Sequence, residues 1–228
     1  MQKTNEVQFQ VVGLARRKEK LDELSKKLQN KPGKFYSLKA DVSNEKEIIE
    51  AFQWVKDNLG PVSILINNAG FSRNTNLIDG ETKDWKEILD TNVLGLCIAT
   101  REAIKQMRAN NIDGHIIHIN SIVGHIVPHI PNMNIYPASK HAVTALTETL
   151  RQELNSIGSK IKITSISPGG VNTEFVEAAG YAKSMKDLLD KAPLLASEDI
   201  ADAIVYALST PPHVQIHELT IKPVGEAV

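Results

Sequence analysis

A doubly wound α/β fold, built on a mostly parallel sheet, is what this sequence predicts, and three observations predict it. Short runs rich in Ile and Val alternate along the chain with segments whose apolar residues recur every three to four positions. No internal repeat or long linker interrupts the alternation. The length, 228 residues, suits one core, since single cores grow to about 250 residues before chains divide. Strands of this kind are covered on both faces by helices in right-handed crossovers.

Each element has its own signal. Residues 8–14 (QFQVVGL) read as a strand, and residues 18–29 as a helix with Leu21, Leu24 and Leu28 on one face. Residues 34–40 form a second strand. Residues 45–59 form a helix with Ile48, Ile49, Phe52, Val55 and Leu59 in register, and Glu45 and Glu47 suit its positive N-terminal end. Residues 62–67 (VSILIN) are a buried-type strand. Residues 82–109 read as one long helix, with Trp85, Ile88, Leu89, Val93, Leu96, Ala99, Ala103 and Met107 along a stripe. Residues 115–121 are a strand. Residues 137–156 are a helix, with Pro137 at its first position. Residues 161–167 are a strand, Ser197 is the expected N-cap of a helix through Leu208, and residues 214–222 are the last strand.

Composition narrows the function. Twenty-six basic and 27 acidic residues give a net charge of −1, which argues against a nucleic-acid binder. One cysteine, Cys97, forms no internal disulfide and gives no sign of an oxidising compartment. Residues 1–10 lack the apolar run of a signal peptide, and no stretch reaches the roughly 18 apolar residues of a membrane span. A soluble cytoplasmic domain is the expectation.

Open α/β sheets bind ligands beyond the carboxyl ends of their strands. The residues there are Ala15-Arg16-Arg17, Asp41-Val42, Asn67-Asn68-Ala69-Gly70, Asn120-Ser121 and Pro168-Gly169-Gly170. Any one is ordinary turn chemistry. Five on one rim suit a backbone that approaches a ligand closely. Tyr136 and Lys140 lie four apart at a helix start and so share a face. A free phenol has a pKa of about 10, and a neighbouring ammonium is expected to lower it, making a general acid/base. Asn92 interrupts the apolar stripe of the long helix, where an inward amide needs a polar network. His115 and His118 are three apart on a strand and point to opposite faces, so they do not pair as metal ligands. His125 and His129 are separated by Pro128. A Gly-x-Ser-x-Gly elbow is absent, which removes the usual serine-hydrolase signature.

Taken in order, Asn67-Asn68-Ala69-Gly70, Asn92, Ser121, Tyr136-Pro-Ala-Ser-Lys140 and Pro168-Gly169-Gly170 resemble the motifs of the short-chain dehydrogenases/reductases. Ala142 to Leu154 and His213 to Ile216 resemble insect farnesol dehydrogenases and their vertebrate steroid- and carbonyl-reducing relatives. The resemblance implies a Rossmann-like single domain over residues 1–228 and assigns roles. Tyr136 would exchange the proton with the substrate oxygen, Ser121 would orient that oxygen, and Lys140 would lower the tyrosine pKa and hold ribose hydroxyls. Asn92 would anchor a water between Lys140 and solvent. Asn67, Ala69 and Gly70 would line the cofactor, Asp41 and Val42 would meet the adenine, and Pro168, Gly169 and Thr173 would contact the nicotinamide end.

An acidic residue after the family's second strand reads the 2′-hydroxyl of NAD. Ala15 and Arg16 stand there, with Arg17 beside them, and a guanidinium clamps a 2′-phosphate where a carboxylate repels it. NADP(H) is therefore the expected cofactor. Residues 124–135 and 171–195 are apolar for loops (Ile126, Val127, Ile130, Met133, Phe175, Val176, Tyr181, Met185, Leu188, Leu189), which suits a lipophilic alcohol, aldehyde or ketone. A homodimer or tetramer through the two long helices is the family's habit.

One departure stands out. The family opens with a strand, a Thr-Gly-x-x-x-Gly-x-Gly turn and a helix, and this sequence carries no such turn. Residues 1–9 are expected to be disordered or to replace that strand, or the 8–14 strand to fill its place. Weaker cofactor binding is expected in any case. A shortened, catalytically impaired isoform that at most dimerises with a full-length relative is the alternative expectation.

Overall fold

The computed structural model describes residues 9–133, 135–181 and 192–226. Met185, Leu188, Leu189 and residues 1–8 lie outside them. The elements run β1 (Gln10–Ala15), α1 (Lys18–Leu28), β2 (Lys34–Lys39), α2 (Glu45–Leu59), β3 (Ile64–Asn67), α3 (Thr82–Leu89), a π turn (Asp90–Gly95), α4 (Leu96–Ala109), β4 (His115–Ile119), α5 (Ile135–Ser156), β5 (Lys162–Pro168), α6 (Phe175–Ala179), α7 (Ser197–Ser209) and β6 (Glu218–Ile221).

All strand pairs are parallel. β3-β4-β5-β6 form one ladder and β1-β2 another, with Gln10 opposite Lys34 and Ala15 opposite Lys39. Neighbouring residues on β4 point to opposite faces, and both faces are covered. Ile116 joins Ile48, Phe52, Ile98, Met107, Leu154 and Ile163 under α2, α4 and α5. Ile117 joins Ile166, Ile200 and Ala207 under α7.

The two ladders share no hydrogen-bonded strand pair among the described residues. Among the described residues β1 pairs with β2 alone, so Gln10–Ala15 does not bridge to β3. Side chains of central-strand type are left open there: Phe9 is 55% exposed, Val11 50% and Ile66 41%.

Helix ends follow local chemistry. Asn44 caps α2 by accepting from the Lys46 N–H at 3.1 Å, and Glu47 reaches back to the Asp41 N–H at 2.8 Å. α7 starts at its expected cap, one residue early. Ala196 is the N-cap and its N–H is bonded by Asp199 at 2.8 Å, so Ser197 is the first helical residue. α5 likewise starts at Ile135, which makes Pro137 its third residue. No helix among the described residues is long and apolar enough to cross a membrane.

The long helix expected over 82–109 is broken by the π turn at Asp90–Gly95. One extra residue in a turn shifts the following side chains round the axis, and such bulges favour functional positions. Gly95 closes the bulge. A Cβ there would collide with the Val42 carbonyl oxygen, so only glycine lets the loop after β2 lie against this helix.

Candidate active site

α5 brings the site together. Its inward stripe is Tyr136, Ser139, Lys140, Val143, Thr147, Leu150 and Leu154, all buried. The lower part of that stripe packs into the core beside Ile116 and Ile163. The same three-to-four spacing that anchors the helix therefore turns Tyr136 and Lys140 toward the carboxyl end of β4. Ser121, just past β4, hydrogen-bonds the Tyr136 hydroxyl.

Asn92, turned inward by the π bulge, ties three elements together. Its Oδ1 accepts from the Phe71 N–H at 2.8 Å, and its Nδ2 donates to the Phe71 carbonyl at 2.8 Å and to Ser139 Oγ at 2.9 Å. Ser139 Oγ donates to the Tyr136 carbonyl at 2.7 Å. The amide thus spends both donors on protein partners, and the loop after Gly70 is locked to the first turn of α5.

A second relay runs behind it. Thr147 Oγ1 donates to the Val143 carbonyl at 2.8 Å, so it accepts from His118 Nδ1 at 3.0 Å. His118 Nε2 is then the acceptor for Thr100 Oγ1 at 3.3 Å, and Thr100 Oγ1 accepts from Asn67 Nδ2 at 2.9 Å. The hydrogen-bond pattern assigns this tautomer. Burial, with Lys140 nearby, pushes His118 down to about 3, so the ring is neutral and the relay holds the Asn67 amide in one orientation. His115 faces the other way, onto Thr164 Oγ1 at 2.8 Å. Among the described residues no group of three or more His, Cys, Asp or Glu could hold a metal.

The electrostatics differ from the sequence expectation. Burial pushes the Tyr136 phenol well above its ordinary value, with Ser121 pulling it down and Tyr181 raising it. Lys140 Nζ lies 5.8 Å from the ring centroid and donates to the Ile119 carbonyl at 2.8 Å. Burial pushes Lys140 itself down to about 8. Desolvation disfavours both charged forms, so in this arrangement the phenol keeps its proton.

Phe175 of α6 explains the burial. Its ring centroid lies 5.2 Å from that of Tyr136, and Tyr181, bonded to Ser72 Oγ at 2.7 Å, flanks it. Both were expected among the apolar loop residues; the tilted contact of Phe175 with the phenol ring was not. On the same rim, burial raises the Asp41 carboxyl, but hydrogen bonds from Ser43 and the charge of Arg16 bring it below its usual range. Arg17 and Lys20 hold Glu174. Glu226 accepts from the Gly170 N–H at 2.7 Å and lies over Gly169. Thr173, exposed, caps the Phe175 N–H at 3.3 Å. Thr100, Glu174 and Glu226 are absent from the sequence reading, where His118 enters only as a rejected metal ligand and Ser139 only as part of a motif. Their partners lie far off in the chain, except for Ser139, which stands inside the Tyr136–Lys140 motif.

The residues fit a dinucleotide. Lys140 uses one hydrogen bond on protein, leaving donors for ribose hydroxyls. Gly70 lies beside it: a Cβ there would stand 3.7 Å from Nζ, in ordinary van der Waals contact.

Residues 2–183 match the family model described as short chain dehydrogenase. The chain is 49% identical over 222 residues to a farnesol dehydrogenase of Aedes aegypti, covering 95% of this chain and 86% of that one. It is 43% identical over 227 residues to dehydrogenase/reductase SDR family member 11 of Bos taurus, covering 94% and 86%. Among solved structures it resembles the closed form of serine dehydrogenase complexed with NADP+, with a TM-score of 0.85 at 30% identity, covering 96% and 87%.

Proposed function

The chain belongs to the short-chain dehydrogenase/reductase family, and from that membership we propose that it is an NADP(H)-dependent oxidoreductase interconverting a lipophilic alcohol, farnesol-like or steroid-like, with its aldehyde or ketone. The observation that carries the reading is the convergence of Tyr136, Lys140, Ser121 and Asn92 where β3 and β4 end. Asn67, Ala69, Gly70, Pro168, Gly169 and Thr173 would hold the nicotinamide half; Asp41, Val42, Arg16 and Arg17 would hold the adenosine half. A bound nicotinamide supplies or takes the hydride. Tyr136 gives its proton to the carbonyl oxygen and Ser121 orients that oxygen. Lys140, a cation below pH 8, steadies the negative charge left on the tyrosine oxygen.

Titration of the purified protein with NADPH, followed by nicotinamide fluorescence, is expected to show saturable binding with turnover of a lipophilic carbonyl. No binding at millimolar cofactor overturns the reading.

A second reading is a catalytically impaired member of the family. It is favoured by the absence, among the described residues, of a ladder between β1 and β3, and by the exposure of Phe9, Val11 and Ile66. The same titration separates the two.

The chain would act as a homodimer. A groove of about 600 Å³ between the outer faces of α4 and α5 is lined by Leu96, Cys97, Ile104, Leu146 and Leu150, away from Tyr136. Arg101, Lys105 and Arg108 on α4 lie across it from Glu153 on α5, a pattern that complements itself about a two-fold axis. Light scattering is expected to give twice the chain mass, and Leu146→Glu to give the monomer; a monomeric wild type removes this part.

A further inference from the structure

We propose that Glu174 is a built-in competitor for the cofactor's 2′-phosphate, holding α6 over Tyr136 until that phosphate takes its place. The inference rests on the NADP(H) reading above and names the residue that couples cofactor choice to access.

Both oxygens of the Glu174 carboxylate are engaged. Oε2 lies 3.1 Å from Arg17 Nη2 and Oε1 lies 2.6 Å from Lys20 Nζ. Arg17 follows β1 and Lys20 lies in the first turn of α1, where a 2′-phosphate is expected at the end of the strand. Arg16 is not part of this contact, since its charge acts on Asp41. Asp22, the nearby acid of α1, is held by Lys18 and Ser37. A carboxylate and a phosphate compete for the same fork of donors, and the phosphate carries more charge. The pair it must break is exposed, with all three side chains between 47% and 61% accessible, and such pairs hold weakly.

The contact reaches the site through one peptide bond. Glu174 is the N-cap of α6, and the next residue, Phe175, carries the ring that covers Tyr136. The far end of α6 is held separately, by the Asn74 N–H on the Ala179 carbonyl at 3.1 Å. Releasing Glu174 therefore frees the end of α6 that covers the phenol and leaves the other end docked. NAD(H) has no 2′-phosphate with which to compete, so Glu174 would select against it.

The test uses two probes without a nicotinamide, adenosine 2′,5′-bisphosphate and adenosine 5′-diphosphate, titrated calorimetrically into the full chain. Glu174→Gln is expected to tighten the 2′-phosphate probe by about threefold, the scale of an exposed ion pair, and to leave the other unchanged. Adding Arg17→Met is expected to abolish that gain. Equal change for both probes, no change, or no binding of the 2′-phosphate probe to either protein overturns the proposal. Failure of the oxidoreductase reading shows elsewhere, as absent turnover with NADPH in a protein that binds the bisphosphate.

Discussion

Replacing Tyr136 with phenylalanine is expected to cut carbonyl turnover by about a thousandfold while the protein stays folded. The magnitude is that of removing a positioned proton donor, on the order of 10² to 10⁴ in rate. The fold is spared because the hydroxyl is a small part of what Tyr136 does for it. The ring stays packed against Phe175, and the backbone carbonyl stays bonded by Ser139. The hydroxyl itself is buried against Ser121, and the loss of one such bond costs about 1 kcal/mol. Steady-state kinetics with NADPH and a urea melt of the same preparation check both halves. Turnover that survives the substitution removes Tyr136 as the donor; a protein that unfolds shows that the phenol is structural.

Lys140→Met is expected to do two opposite things: abolish most turnover and stabilise the fold at neutral pH. The physical cause is the burial of an ammonium that has one carbonyl, that of Ile119, as its partner. Burial brings Lys140 from its ordinary 10.5 to about 8, which corresponds to roughly 3 kcal/mol of penalty on the charged form. The folded value lies below the unfolded one, so the folded state holds fewer protons between them and stability rises with pH across that window. The penalty is in full force below pH 8 and gone above about pH 10.5. Methionine removes it and forfeits the bond to Ile119, worth about 1 kcal/mol, for a net gain on the order of 2 kcal/mol at pH 7. Denaturant unfolding at pH 7 and pH 10.5 is expected to show the variant ahead at the first and level or behind at the second. A variant less stable than wild type at pH 7 overturns the account. A site that costs the fold stability is a common trade between activity and stability.

Ser121 stands between these effects. It both bonds the phenol and caps the short turn after β4 through the Val123 N–H at 3.3 Å. That dual use explains why a strand-end serine reads from sequence as an everyday turn residue.

The elements themselves were legible because their signals are local. Leu21, Leu24 and Leu28 mark α1 by spacing alone, and the five-isoleucine run through β4 and β5 marks two strands buried on both faces. Strand ends were less legible, because pairing decides them. The last strand was expected over 214–222 but forms a ladder only over Glu218–Ile221, where Pro168 and its neighbours offer partners. The break in the long helix was invisible for a related reason. Val93 and Leu96 keep the helical spacing across it, and the bonds of the Asn92 amide to Phe71 and Ser139, which accompany the extra residue in the turn, form only in the folded chain.

What the amino-acid order determined alone was the alternation of strand and helix, the rim on which chemistry sits, and the shared face of Tyr136 and Lys140. All of these follow from periods of two and 3.6 residues. Tertiary structure decided the rest: the phenol raised under Phe175, the lysine lowered beside Ile119, the His118 tautomer, and Glu174 seated on Arg17 and Lys20. The reason is physical. A pKa and a tautomer depend on the dielectric and the partners around a group, and those come from residues that are distant in the chain and meet only when it is folded.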